Sequence, residues 1–374
     1  MLHTSDWHVG RTFHQHATLG ALREVFGALV REVREREVDV VLASGDIFDS
    51  STPATDAVEL LDDLLLSIHD AGAQVVLTSG NHDSPARLGA RAVFAARAGV
   101  HVITRADQIG TPVTLTDEHG EVHVYGLPFL EPARLRGVWP DVTPMRSQKD
   151  AVGHAMDLVR ADAVARGGRT VVMAHTFVQG ADGESCESER DIVGGVDKVP
   201  VPVFDGVTYA ALGHIHGRST LAPHVRYSGA PLHYSFSEAD KPRGGWLVDL
   251  DAGGLAAVEW LDLPVPRPLT TLTGALGDLL DDPAHATVED HWVRAILTDA
   301  VQPTDAMRKL QQRFAHCAQV EHRPAGRSDG SGSTYASLVR GRTDLELVDA
   351  FLTKVRHGVG ATEAELDLVR EVVR

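Results

Sequence analysis

From Met1 to about Asp262, short apolar runs alternate with stretches of helical periodicity. Val38–Ala43, Gln74–Thr78, Thr170–Ala174 and Tyr209–Leu212 are β-branched or apolar runs of strand length, each bounded by polar or glycine-rich residues. They predict buried strands. Between the runs, Leu22, Val25, Phe26, Leu29, Val30 and Val33 keep the spacing of one apolar helix face. Strands alternating with helices predict an α/β domain in which helices cover a sheet. Leu263–Pro268 holds three prolines, which remove backbone donors and mark a boundary. Beyond it, a strand at His291–Leu297, a helix at Thr304–Phe314 and a strand at Ala318–His322 form a small α+β module. Gly326–Thr334 has the composition of a flexible linker. Two helices follow. The first carries Leu345, Val348, Leu352 and Val355, and the second opens on Thr362-Glu363-Ala364-Glu365, a capping-box pattern. The divisions expected are 1–262, 268–325, a linker at 326–342, and terminal helices at 343–374.

Composition narrows the function. The 374 residues carry 52 acidic against 35 basic side chains, a formal charge of −17. Charge alone therefore does not hold this chain on nucleic acid or an anionic membrane. Two cysteines, Cys186 and Cys317, give no disulfide framework and suit a reducing cytoplasm. The opening residues lack the charged and apolar regions of a secretion signal, and no apolar run is long enough to span a bilayer. The histidine count, 20, supplies abundant metal ligands.

The polar clusters all sit at strand ends, where α/β sheets bind ligands. Taken singly, Asp6-Trp7-His8, Gly45-Asp46, Gly80-Asn81-His82-Asp83, His175 and Gly213-His214-Ile215-His216 read as turns and caps. Their recurrence at five strand ends is what points to chemistry. Asp, Asn and His are hard and borderline donors, and neither cysteine joins them, so Mn²⁺ or Fe²⁺ fits better than structural zinc. Asp6, His8, Asp46, Asn81, His175, His214 and His216 make seven donors, too many for one six-coordinate ion that keeps open positions. Two divalent ions about 4 Å apart activate water and clamp an in-line displacement, which predicts phosphoester hydrolysis.

This set of motifs resembles the calcineurin-like metallophosphoesterases. Leu2–Arg11, Gly45-Asp46-Ile47-Phe48-Asp49, Glu187–Arg190, Ala211–His216 and Tyr227–Pro231 are more narrowly similar to the SbcD family, the nuclease subunits of bacterial SbcC–SbcD complexes. The resemblance implies a layered β-sandwich flanked by helices, with a small α+β capping domain and C-terminal helices. It implies a manganese-dependent nuclease acting on double-stranded ends, hairpins and single strands in DNA double-strand break repair. Asp6, His8, Asp46 and His216 would hold one metal. Asp46, Asn81, His175 and His214 would hold the other. His82 would face the leaving oxygen, and Asp49 would hydrogen-bond to His82 and raise its pKa. Arg11, His14 and His16 are candidates for DNA contact.

The partners implied are DNA, an SbcC-type SMC-like ATPase docked on residues 343–374, and a second copy of the chain. Helices over Asp56–Ala71 and Pro85–Arg97 would form the dimer, with Leu61, Leu64, Leu65, Leu88 and Phe94 as contacts. The acidic balance leads to the expectation that DNA affinity depends on dimerisation and on the ATPase. Two other readings stay open: a metallophosphoesterase for a small nucleotide or phosphodiester, and a non-catalytic metal-site scaffold. The extra module argues against the first, and the complete ligand set with His82 argues against the second.

Overall fold

The computed structural model describes residues 1–181, 198–324, 342–355 and 360–372. It divides into two compact units, Met1–Arg267 and Pro268–Arg374. The first unit holds two six-stranded sheets. In chain order the strands of these two sheets are β1 (Leu2–Thr4), β2 (Val40–Ser44), β3 (Gln74–Thr78), β4 (Val100–Ile103), β5 (Val113–Asp117) and β6 (Gly120–Leu127). They continue with β7 (Arg169–His175), β8 (Tyr209–Gly213), β9 (Ser219–Ala222), β10 (Val225–Tyr227), β11 (Gly244–Asp251) and β12 (Gly254–Asp262). One sheet has the order β12-β11-β1-β2-β3-β4, and the other β9-β10-β8-β7-β6-β5. The centre of each is parallel, in register Leu2 with Val41, Val41 with Val75, and Ala211 with Met173.

Strand alternation builds the layers. Val40 and Leu42 face the other sheet, where they pack with Val171, Met173 and Ala211. Val41 and Ala43, one residue along, face the helices α1 (Leu19–Glu35) and α2 (Thr55–Asp70). The same switch occurs in β7: Val172 and Ala174 pack under the helix α3 (Gln148–Arg166), and Val171 and Met173 point between the sheets. The unit is thus helix, sheet, sheet, helix, the layered sandwich that the family resemblance implies. His3 ties the two sheets with a polar contact. Burial lowers its pKa to about 3, so the ring is neutral. Its Nε2–H donates to the Leu212 carbonyl at 3.1 Å, and its Nδ1 accepts from the Tyr209 hydroxyl at 3.0 Å.

The second unit contains a parallel three-stranded sheet, Leu269–Gly274, Trp292–Leu297 and Cys317–His322, with a helix at Ala306–Arg313. The two terminal helices run Asp344–Val355 and Glu363–Val372. The capping box at the second forms: the Glu365 carboxylate accepts from the Thr362 N–H at 2.8 Å. Thr343 and Glu346 make the same motif at the first, which the sequence reading passed over. Leu345, Val348 and Leu352 are half-buried, and the Val355 side chain lies outside the described residues. So do the Cys186 segment, the Glu187–Arg190 motif and nearly all of the expected linker.

Two expectations about the dimer elements need correction. Leu61 and Leu64 are buried in the chain's own core, under the first sheet, and are not available to a partner. Pro85–Arg97 is not one helix. Short turns at Pro85–Leu88 and Ala92–Ala95 are separated by Gly89 and by Arg91 at φ +64°. A residue in the left-handed region interrupts the helical ladder.

Leu42, fully buried between the sheets, tests the packing. Leu42→Ala is expected to cost about 2–5 kcal/mol of stability. Urea unfolding measures it, and a loss below about 1 kcal/mol would contradict the close contact of the two sheets.

Candidate metal centre

The C-terminal ends of β1, β2, β3, β7 and β8 converge, and their loops bring all seven predicted donors together. The loops are strained where they deliver a side chain. Asp6, His8, Asp46 and His214 all have positive φ, at 52°, 43°, 49° and 107°. Non-glycine residues hold such angles only where the surroundings fix them, as functional sites do. Glycines make the approach possible. A Cβ on Gly80 would lie 2.0 Å from Asp46 Oδ1, and one on Gly45 would lie 2.2 Å from His175 Nδ1.

The donors fall into two sets that meet at Asp46. His8 Nε2 lies 3.1 Å from His216 Nε2, and Asp6 belongs to the same group. On the other side, Asn81 Oδ1 lies 3.0 Å from His175 Nε2 and 3.2 Å from His214 Nδ1. Asp46 Oδ2 stands between, 3.4 Å from His175 Nε2 and 3.6 Å from His8 Nε2. Its Oδ1 accepts from the His82 N–H at 2.9 Å. The donor chemistry fits divalent cations. His8 Nδ1 faces the Asp49 carboxylate at 3.2 Å, and His216 Nδ1 faces Glu238 at 3.6 Å. With Nδ1 protonated towards those carboxylates, the two Nε2 atoms present lone pairs to each other, and a cation beside them relieves the repulsion.

Electrostatics divide the imidazoles. Burial brings His8 and His214 down to about 3, so both are neutral and ready to coordinate. Burial also disfavours charge on His175, but the adjacent Asp46 carboxylate outweighs it and raises the pKa to about 9. Burial works against the Asp46 charge as well, and the same histidine, with His8, holds its pKa well below the usual carboxylate range.

The hydrogen bond between Asp49 and His82 that the resemblance implies forms through the Asp49 backbone. His82 Nδ1 donates to the Asp49 backbone carbonyl at 3.0 Å, and the carboxylate is 3.8 Å away. The carboxylate instead sits 3.2 Å from His8 Nδ1 and 3.3 Å from Arg11 Nη1. Arg11 is turned inward, with its guanidinium also over the Tyr234 ring at 4.8 Å, so a DNA-contact role is not what its side chain shows. His14 and His16 are exposed.

The roles of several supporting residues are not legible in the sequence. Asp83 accepts from the N–H groups of Ile47, Phe48 and Gly80, which pins the Asp46 loop to the Asn81 loop. Burial, then the nearby Asp46 charge, raises its pKa to about 6. Glu238 and Arg243 form a fully buried ion pair at 3.1 Å, and Arg243 Nη1 donates to the His216 carbonyl at 2.7 Å. The Tyr227–Pro231 motif acts through Ser228, whose hydroxyl meets that of Ser5 at 2.8 Å beside Asp6. A carboxylate and an arginine five positions apart carry no signature of a buried pair.

Comparison with known proteins fits this geometry. A family model described as calcineurin-like phosphoesterase matches residues 1–218, more than half of the chain. A model of the SbcD C-terminal domain, described as the type 5 capsule protein repressor C-terminal domain, matches residues 265–356. Among solved structures, a dimetal phosphatase from Danio rerio aligns at 12% identity and a TM-score of 0.37, covering 65% of this chain and 90% of that one. A GH5-4 broad-specificity endoglucanase from an uncultured bovine rumen ciliate aligns at 11% identity and a TM-score of 0.17, over 90% of this chain and 86% of that one. Scores this low carry no weight beside the two family models. With a strand-end donor set of the kind such enzymes use, the chain belongs to the calcineurin-like phosphoesterase family, as a metal-dependent phosphodiesterase of the SbcD type.

Proposed function

We propose that this chain is a manganese-dependent DNA nuclease that works with an SbcC-type ATPase in double-strand break repair in the cytoplasm. The observation that carries the reading is Asp46, one buried carboxylate placed between two sets of nitrogen and oxygen donors. Asp6, His8, Asp46 and His216 would hold one cation, and Asp46, Asn81, His175 and His214 the other. Two divalent cations, when bound there, would supply a water of lowered pKa and would neutralise the charge of the phosphodiester.

The chain's own residues do the rest. Arg11, Asp49 and His8 form a line of guanidinium, carboxylate and imidazole, in which the Asp49 charge would favour the proton on His8 Nδ1. His82 keeps its Nδ1 proton on the Asp49 carbonyl, which leaves Nε2 for substrate. In hydrolysis the water oxygen bonds to phosphorus as the bond to the leaving oxygen breaks. His82 gives that oxygen the proton of its Nε2–H and is reprotonated from solvent, which takes up the proton released by the water.

The acidic balance assigns DNA affinity largely to partners. Residues 268–325 would select DNA, and the terminal helices, with Phe351, Leu368 and Val372 exposed, would dock on the ATPase. A homodimer would use Val93 and Phe94, which are 77% and 74% exposed, rather than Leu61 and Leu64. No helix among the described residues is long and apolar enough to cross a membrane.

Purified chain incubated with linear duplex and circular single-stranded DNA should cleave with Mn²⁺ and not with EDTA. Asp46→Ala and His82→Ala should each remove that activity. Hydrolysis confined to small phosphodiesters would move the natural substrate elsewhere. Metal binding without hydrolysis of either would favour a scaffold. Asp49→Ala is expected to weaken Mn²⁺ binding by roughly 10- to 100-fold in calorimetry. Unchanged affinity with lost activity would return Asp49 to the role of partner to His82.

A further inference from the structure

Two aromatic side chains beside the metal centre have no part in the chemistry above. Phe129 lies two residues beyond the end of β6, and its N–H donates to the Ser79 carbonyl at 2.8 Å, on the loop that carries Asn81 and His82. Phe177 lies two residues beyond His175, between Thr176, whose N–H donates to the Gly213 carbonyl, and Val178, which bridges to Val199. Both rings are held by well-fixed backbone, and both are only half-buried.

They frame the same histidine. The Phe129 ring centroid is 6.2 Å from that of His214, with the planes 32° apart, and 6.3 Å from that of His175. The Phe177 centroid is 6.4 Å from that of His214. The Lys198 ammonium lies 5.3 Å from the centre of the Phe177 ring, adding a positive charge to the rim. Each ring keeps a water-exposed surface beside His214.

We propose that Phe129 and Phe177 form a subsite for an unstacked nucleobase of the nucleotide next to the scissile phosphate, with Lys198 attracting the adjoining phosphodiester. The inference rests on the phosphodiesterase reading of the centre and adds the two side chains that would hold a base free of the duplex stack. Aromatic rings accept any base, because every base has a π face. A base paired inside a duplex cannot turn a face to a ring beside the backbone, so the subsite favours single strands and frayed ends.

The test uses the full chain with Mn²⁺ and two strands, oligothymidylate and the same strand built of abasic tetrahydrofuran nucleotides. Wild type should show a higher kcat/KM on the strand with bases. Phe129→Leu and Phe177→Leu, which keep apolar bulk, should each lower the ratio of the two kcat/KM values about tenfold. A phosphorothioate strand carrying 2-aminopurine should lose fluorescence on binding to wild type, and lose less on binding to the variants. Equal loss on both strands, or none, would show that the rings only pack against His214 and overturn the subsite. The two readings separate cleanly. Cleavage of both strands at equal rates by wild type, without quenching, contradicts the subsite and keeps the nuclease. Quenching without cleavage of either strand contradicts the nuclease and keeps the subsite.

Discussion

Asp46 sits where two sheets end, with one carboxylate oxygen facing the imidazoles of His8 and His175, delivered by two different strands. A buried carboxylate is tolerated only when opposite charge or hydrogen bonds meet it. Here the opposite charge is His175 across the sandwich, and the hydrogen bond comes from the His82 amide. That requirement explains the surrounding sequence. Gly45 and Gly80 must lack side chains for His175 and Asp46 to come so close. Asp83 must bind three backbone amides to keep the two loops together. The strained backbone at Asp6, His8, Asp46 and His214 is held by this packing.

Much of the arrangement is legible in the chain itself, because apolar runs and polar punctuation report local structure directly. Gln74–Thr78 is a strand with the boundaries its β-branched run predicts. The helix expected around Leu22–Val33 spans Leu19–Glu35. The donor set is legible for a related reason, since each member follows a strand whose direction is fixed by parallel pairing. What the chain hides is contact between distant segments. Asp49 lies three residues from Asp46, yet its carboxylate turns to His8 and Arg11, a choice made by packing across loops. Glu238 and Arg243 look like surface charges and are fully buried. Leu61 and Leu64 look like a contact stripe and are core, because α2 is covered by the sheet on the face they occupy.

The same separation of local and distant effects bears on function. Among the described residues, the side-chain groups that could hold a metal lie in the first unit, and its chemistry is that of a phosphodiesterase. The match over residues 265–356 adds an SbcD-type C-terminal domain, and with it the proposed dependence on a partner. A chain with formal charge −17 gains little from the phosphate backbone by charge alone. On the proposed reading, a positively charged metal pair and a partner that brings DNA to it would answer that deficit together.

The central claim is that one carboxylate joins two cations into a single site. Titration with Mn²⁺ followed by electron paramagnetic resonance tests it most directly. Two ions per chain with the spectrum of a magnetically coupled pair are expected, and Asp46→Ala should abolish the coupling. A single bound ion, or two that remain uncoupled in the wild type, would contradict it.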